Sequence, residues 1–109
     1  MSDVQSALRD YMEGANLGDR DRLGAVLHPD FRTAGYWDGK LIWMTRDDAL
    51  AAAGGDTVPE WHMTSPIIHG DTAQTIVSSM WNGKTFVEIV TLIRVEDKWQ
   101  LVFKSFHAG

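Results

Sequence analysis

The chain has 109 residues, close to the commonest size of a single domain, and a domain this long buries roughly two-thirds of its unfolded surface without staples. It contains no cysteine, which excludes a disulfide framework and thiolate zinc sites. A net charge of −5 with no basic run argues against nonspecific nucleic-acid binding, which needs clustered Lys and Arg to displace phosphate counterions.

The opening Met-Ser-Asp-Val-Gln-Ser is polar and lacks the apolar core of a signal peptide. No apolar run approaches the roughly 20 residues of a membrane helix. The expectation is a cytoplasmic, soluble protein that partners neither membrane nor nucleic acid.

Ser2 and Gln5 have capping-box spacing, and Val4, Leu8, Tyr11, Met12 and Ala15 then fall on one helical stripe. Gly18 suits a helix end, because glycine takes the left-handed conformation cheaply. Asp19 can cap a second helix with Leu23, Val26 and Leu27 on its apolar face, and Pro29 is expected to stop it. From Phe31 the period changes to two. Phe31 to Trp37 and Lys40 to Met44 flank Asp38-Gly39, a pair suited to a tight hairpin turn.

Thr45 and Asp48 form a capping arrangement for a third helix, Arg46 to Ala53, which Gly54-Gly55 ends. Trp61 to His69 reads as a strand bent by Pro66, and so as an edge strand. Thr72 to Trp81, Lys84 to Val95 and Trp99 to His107 complete a meander, joined at Asn82-Gly83 and Glu96-Asp97. Helices segregated from a mostly antiparallel sheet give an α+β class, with residues 1–109 as one domain.

The turns imply a register. With Asn82-Gly83 as a two-residue loop, Ser79 opposes Phe86 and Val77 opposes Glu88. With Glu96-Asp97 closing the next hairpin, Glu88 opposes Ser105 and Phe86 opposes His107. This places Ser79, Trp81, Phe86, Glu88, Phe103, Ser105 and His107 on one face. The other face, along Val87, Ile89, Thr91, Ile93 and Val95, is also apolar and also wants cover. The helices can cover one face. A second subunit is the economical cover for the other, which makes a homodimer the expected assembly.

Tyr11 followed by Gly18-Asp19, the stretch Leu27-His28-Pro29-Asp30-Phe31, and the end Trp99 to His107 resemble the NTF2-like superfamily. Within it the chain is similar to the group labelled SnoaL-like or putative lumazine-binding. The resemblance implies a cystatin-like cone, with three helices packed on a strongly curved sheet around an apolar pocket. It also implies dimers through the outer sheet face. Tyr11 matches the oxyanion-hole tyrosine of ketosteroid isomerases in its spacing to Gly18-Asp19. The aspartate base of those enzymes would fall at or near Gly35, so steroid isomerisation is not implied.

Glu88, in phase with Phe86 and Val90, must reach water, find a partner or hold its proton. It is therefore a candidate general acid or base, with His107 as its proton-exchanging neighbour; the alternative is an ion pair with a nearby Arg or Lys. One Glu and one His are too few for a metal site, and no cofactor is implied. Tyr11, Trp37, Ser79, Trp81, Phe86, Phe103 and Ser105 are the candidate ligand contacts. Ser79 and Ser105 lack a nucleophile elbow. The leading expectation is a binder of a small apolar or planar molecule. A cofactor-free isomerase, dehydratase or hydrolase and a structural dimer with a filled pocket are the alternatives.

Overall fold

The computed structural model describes residues 3–81 and 83–108, apart from the side chains of Asp3 and Trp81. Among these residues the order is α1 (Asp3–Leu17), α2 (Arg20–Val26), β1 (Leu27–Trp37), β2 (Lys40–Thr45), α3 (Arg46–Ala52), β3 (Trp61–Met63), β4 (Ile67–His69), β5 (Thr72–Trp81), β6 (Lys84–Val95) and β7 (Lys98–Ala108). The strands form one seven-stranded sheet in the order β2-β1-β7-β6-β5-β3, with β4 also paired to β5. Only the β1–β7 pairing among these is parallel. The class is α+β, with three helices and a mostly antiparallel sheet, as the sequence predicts.

The stripe on α1 buries Val4, Leu8, Tyr11 and Met12 against the sheet. Gly18 ends the helix at φ +71°, where a Cβ would be strained. The Asp19 carboxylate then caps α2 by accepting from the Arg22 N–H at 3.1 Å. Thr45 and Asp48 make the expected reciprocal capping box on α3. The Arg20 guanidinium donates to the Leu50 and Ala53 carbonyls, tying the end of α3 to the start of α2. The Gly54 N–H adds a bond to the Ala15 carbonyl at 3.0 Å. These ties hold α3 beside α1 as one wall of the site described below.

Ser2 and Asn82, to which the sequence assigns a cap and a turn, lie outside the described residues. Two boundaries differ from expectation. The second helix ends at Val26 and the strand begins at Leu27, so Pro29 lies within β1. Proline is tolerated there because the ladder with β7 is interrupted between Leu27 and Arg32 and needs no N–H from it. Pro66 falls between β3 and β4, both of which pair with β5 at the sheet edge, as the bent-strand reading anticipates.

The larger correction lies in β7. Arg94 pairs with Trp99 and Leu92 with Leu101, but Thr91 then pairs with Phe103. Val102 is thus an extra residue in the strand, a β-bulge. Since side chains alternate with period two, one inserted residue reverses every face beyond it. Glu88 therefore faces Phe106 across the ladder and not Ser105, while Val90 faces Lys104. Lys104, Phe106 and Ala108 turn inward, and Phe103, Ser105 and His107 turn outward. The core packs Leu8, Leu23, Leu27 and Phe31 against Val77, Val90, Leu92 and Leu101.

Candidate functional site

Between the helices and the inner face of the sheet lies a cavity of about 470 Å³. Met12, Ala15 and Asn16 of α1 border it on one side, and Ala49 and Ala52 of α3 with Ala53 just past its end on another. Small side chains on α3 keep this wall thin. The sheet supplies Phe31, Thr33 and Trp37 from β1, Ser79 from β5, Phe86 and Glu88 from β6, and Lys104 from β7.

Trp37 meets Phe86 edge-on with ring centres 6.2 Å apart, and Phe86 lies tilted on Phe106 at 5.3 Å. Such offset and edge contacts are the favoured aromatic geometries. Beside Trp37, the Lys84 ammonium pairs with Asp38 and lies 5.4 Å from the centre of the ring. That contact links the β1–β2 turn to the start of β6.

One wall of the cavity is polar, and its centre is Glu88, which is 1% exposed. The Lys104 ammonium lies 2.8 Å from Glu88 Oε1. The Tyr11 hydroxyl donates to the same oxygen at 3.0 Å and accepts from Lys104 Nζ. The three groups close a triangle in which a buried carboxylate and a buried ammonium neutralise each other. The ammonium is also surrounded by rings, 5.0 Å from the centre of Tyr11, 5.6 Å from Phe106 and 5.8 Å from Phe86. Those faces favour a cation.

The burial has electrostatic consequences. Loss of solvent, reinforced by the Glu88 carboxylate, pushes the Tyr11 phenol well above the usual tyrosine range. For Lys104, burial alone would lower the pKa. The charge of Glu88, together with Tyr11 and the hydrogen bonds to both, outweighs it and holds the ammonium above its ordinary range. Both groups keep their protons at neutral pH. Of the fates open to a buried glutamate, the pairing alternative is the one found.

The remaining polar groups differ in what they have to spare. Thr33 Oγ1 donates to the Lys104 carbonyl at 2.9 Å, and Asn16 Nδ2 donates to the Met12 carbonyl at 2.7 Å. Ser79 Oγ is buried with no hydrogen-bond partner among the described residues.

Of the residues assigned to the site from sequence, Tyr11, Trp37, Ser79, Phe86 and Glu88 border the cavity. The side chain of Trp81 lies outside the described residues. Phe103, Ser105 and His107 do not border it, because the bulge at Val102 turns them to the outer face. Glu88 and His107 thus lie on opposite faces, and the proposed proton-exchanging pair is not formed. Lys104, which the unbulged register puts outside, takes the place assigned to His107. Its signal was available in principle, since an in-phase buried carboxylate demands a cation and Lys104 is one residue out of register.

At Gly35 a Cβ would stand 2.3 Å from the Phe106 carbonyl oxygen and 2.5 Å from its ring. No side chain fits there without moving Phe106, so the position that would carry an isomerase base is closed by packing.

Comparison with known proteins accords with this architecture. The family described as putative lumazine-binding matches residues 1–107, and the chain belongs to it. An NTF2-like protein of unknown function from Silicibacter pomeroyi is 27% identical, with a TM-score of 0.87 over 97% of this chain and 92% of that one. One from Methylobacillus flagellatus is 25% identical, with a TM-score of 0.85 over 98% of this chain and 90% of that one. A protein described as a putative dehydratase of the NTF2-like family, from Streptomyces avermitilis, shares the fold at 16% identity. Its TM-score is 0.72, over 98% of this chain and 94% of that one. No curated protein matches the chain in sequence. Among the described residues, no helix is long and apolar enough to cross a membrane.

Proposed function

We propose that this protein binds a small, largely apolar or planar molecule in the cavity between its helices and sheet. The observation that carries the reading is a cavity of about 470 Å³, lined largely by apolar side chains, into which Tyr11, Glu88 and Lys104 converge. Ligand sites typically occupy about 300–1,000 Å³, are mostly apolar and are oriented by a few polar groups. Trp37 and Phe86 supply flat surfaces, and Tyr11, Glu88 and Lys104 orient the ligand. The volume counts against a pocket filled by its own side chains.

Acid–base catalysis fits less well. His107 faces away, and both Tyr11 and Lys104 hold their protons beyond neutral pH. A group acting as general acid or base near pH 7 needs a pKa near 7. The cluster suits holding a ligand better than exchanging protons with it. A titration with 2-acetylnaphthalene followed by amide and side-chain NMR tests this. The expected result is saturable shifts at Tyr11, Trp37, Phe86 and Lys104; absence of saturable shifts, or shifts confined to the outer face, would contradict it.

We further propose a homodimer through the outer sheet face. The register sets Trp43, Ala34, Ser105, Ile89 and Ile76 side by side across five strands. Trp43 is 65% exposed, and Ile76, Ile89 and Phe103 are also exposed. A contiguous apolar patch of this kind supports an interaction surface.

A further inference from the structure

Ser79 sits on β5 opposite Phe86 and diagonal to Glu88, on the wall of the cavity. It is 5% exposed, and its hydroxyl has no partner among the described residues. A buried polar atom without a hydrogen bond weakens a fold, and most such atoms find a partner. Other polar side chains of the cavity have partners: Thr33 donates to the Lys104 carbonyl, Asn16 to the Met12 carbonyl, and Tyr11 both donates and accepts within the triangle. Lys104 has three N–H donors and uses two of them, on Glu88 and Tyr11. Among the described residues, the Ser79 hydroxyl and one N–H of Lys104 are donors of the cavity left unspent, and both call for an acceptor.

The wall is also electrically closed. Glu88 and Lys104 cancel with side chains only 2% and 11% exposed. An anionic ligand would set two negative charges on one ammonium, and a cationic ligand would set two positive charges on one carboxylate. Either outcome strands a charge in a low-dielectric site, which is expensive.

We infer that the ligand is an uncharged molecule with a carbonyl-type acceptor on an otherwise apolar body, and that Ser79 is the residue that takes this acceptor. The inference rests on the cavity being the binding site. Ser79 is then the specificity-determining contact, with the triangle excluding ionic competitors.

Three probes of nearly equal size separate these claims in equilibrium dialysis at pH 7.5: 2-acetylnaphthalene, neutral with an acceptor; 2-ethylnaphthalene, neutral without one; and 2-naphthoate, anionic. Wild-type protein is expected to prefer the acetyl over the ethyl compound by roughly fivefold, the value of one modest hydrogen bond, and to bind the naphthoate least. In Ser79→Ala the acetyl preference should disappear while the affinity for 2-ethylnaphthalene stays within about twofold. The melting temperature of Ser79→Ala should equal or exceed that of the wild type, because the hydroxyl removed has no partner. Equal binding of the two neutral probes, tightest binding of the naphthoate, a preference that survives Ser79→Ala, or a lowered melting temperature would each overturn the assignment of Ser79. If none of the three probes binds saturably, the cavity reading fails and takes this inference with it.

Discussion

Lys104 carries its charge on a side chain only 11% exposed, and its energetics follow from that burial. Removing one partner of a buried ion pair costs about 3–5 kcal/mol, because the survivor is left desolvated and unpaired. Glu88→Leu and Lys104→Met should each lower stability by about 3 kcal/mol in urea unfolding. The double variant Glu88→Leu with Lys104→Met should cost clearly less than the sum, because neither charge is then stranded. Additive losses would show that the two groups do not interact.

Alkaline pH tests the same triangle from the other side. Tyr11 and Lys104 both have folded-state pKa values above their unfolded ones, so the fold binds these protons more tightly than the open chain. Their contribution is fully present below the unfolded values, near 10, and is lost as pH rises toward the folded ones. Stability should thus be insensitive to these groups from pH 7 to about 9 and should fall above about 10. In Tyr11→Phe that alkaline fall should be shallower, measured as the urea midpoint against pH. Ser79, Phe86 and Glu88 were legible from sequence because a two-residue turn at Asn82-Gly83 implies the β5–β6 register. Lys104 was not, because its face depends on the extra residue at Val102, which neither flanking turn reveals.

At the scale of elements, the bulge at Val102 decides which half of β7 builds the cavity. Nothing in Gln100-Leu-Val-Phe103 marks it: no glycine or proline punctuates the strand, and alternation reads equally well through it. Other features did announce themselves chemically. Asp38 and Gly39 both take positive φ, as their tight turn requires, and Glu96 and Asp97 do the same without a glycine. Pro66 split the edge strand where its missing N–H predicts.

The close approach of β1 to β7 is likewise exacting. With a Cβ at Gly35 only 2.3 Å from the Phe106 carbonyl oxygen, Gly35→Ala should destabilise by about 1–3 kcal/mol through overpacking. It should also disturb the ring of Phe106 beside Lys104. A Gly35→Ala protein with wild-type stability in urea unfolding would mean that the two strands have slack.

At the scale of the molecule, one sheet presents two different faces. The inner face walls the cavity, and the outer face carries Trp43, Phe103, Ile76 and Ile89 into solvent. The bulge contributes to both, since it sends Phe103 outward and Lys104 inward. Sedimentation velocity should give the mass of two chains for the wild type, and Trp43→Glu should shift it toward one. A wild-type monomer at tens of micromolar would end the dimer proposal without touching the cavity.

The cavity itself is the central claim, and blocking it is the most direct test. Ala52 borders the cavity yet is exposed, so a larger side chain there can enter the space without overfilling the core. Equilibrium dialysis of 2-acetylnaphthalene should give one saturable site per chain in the wild type, weakened at least tenfold in a folded Ala52→Phe variant. Absence of saturable binding to the wild type, or equal binding to the plugged variant, would contradict the account.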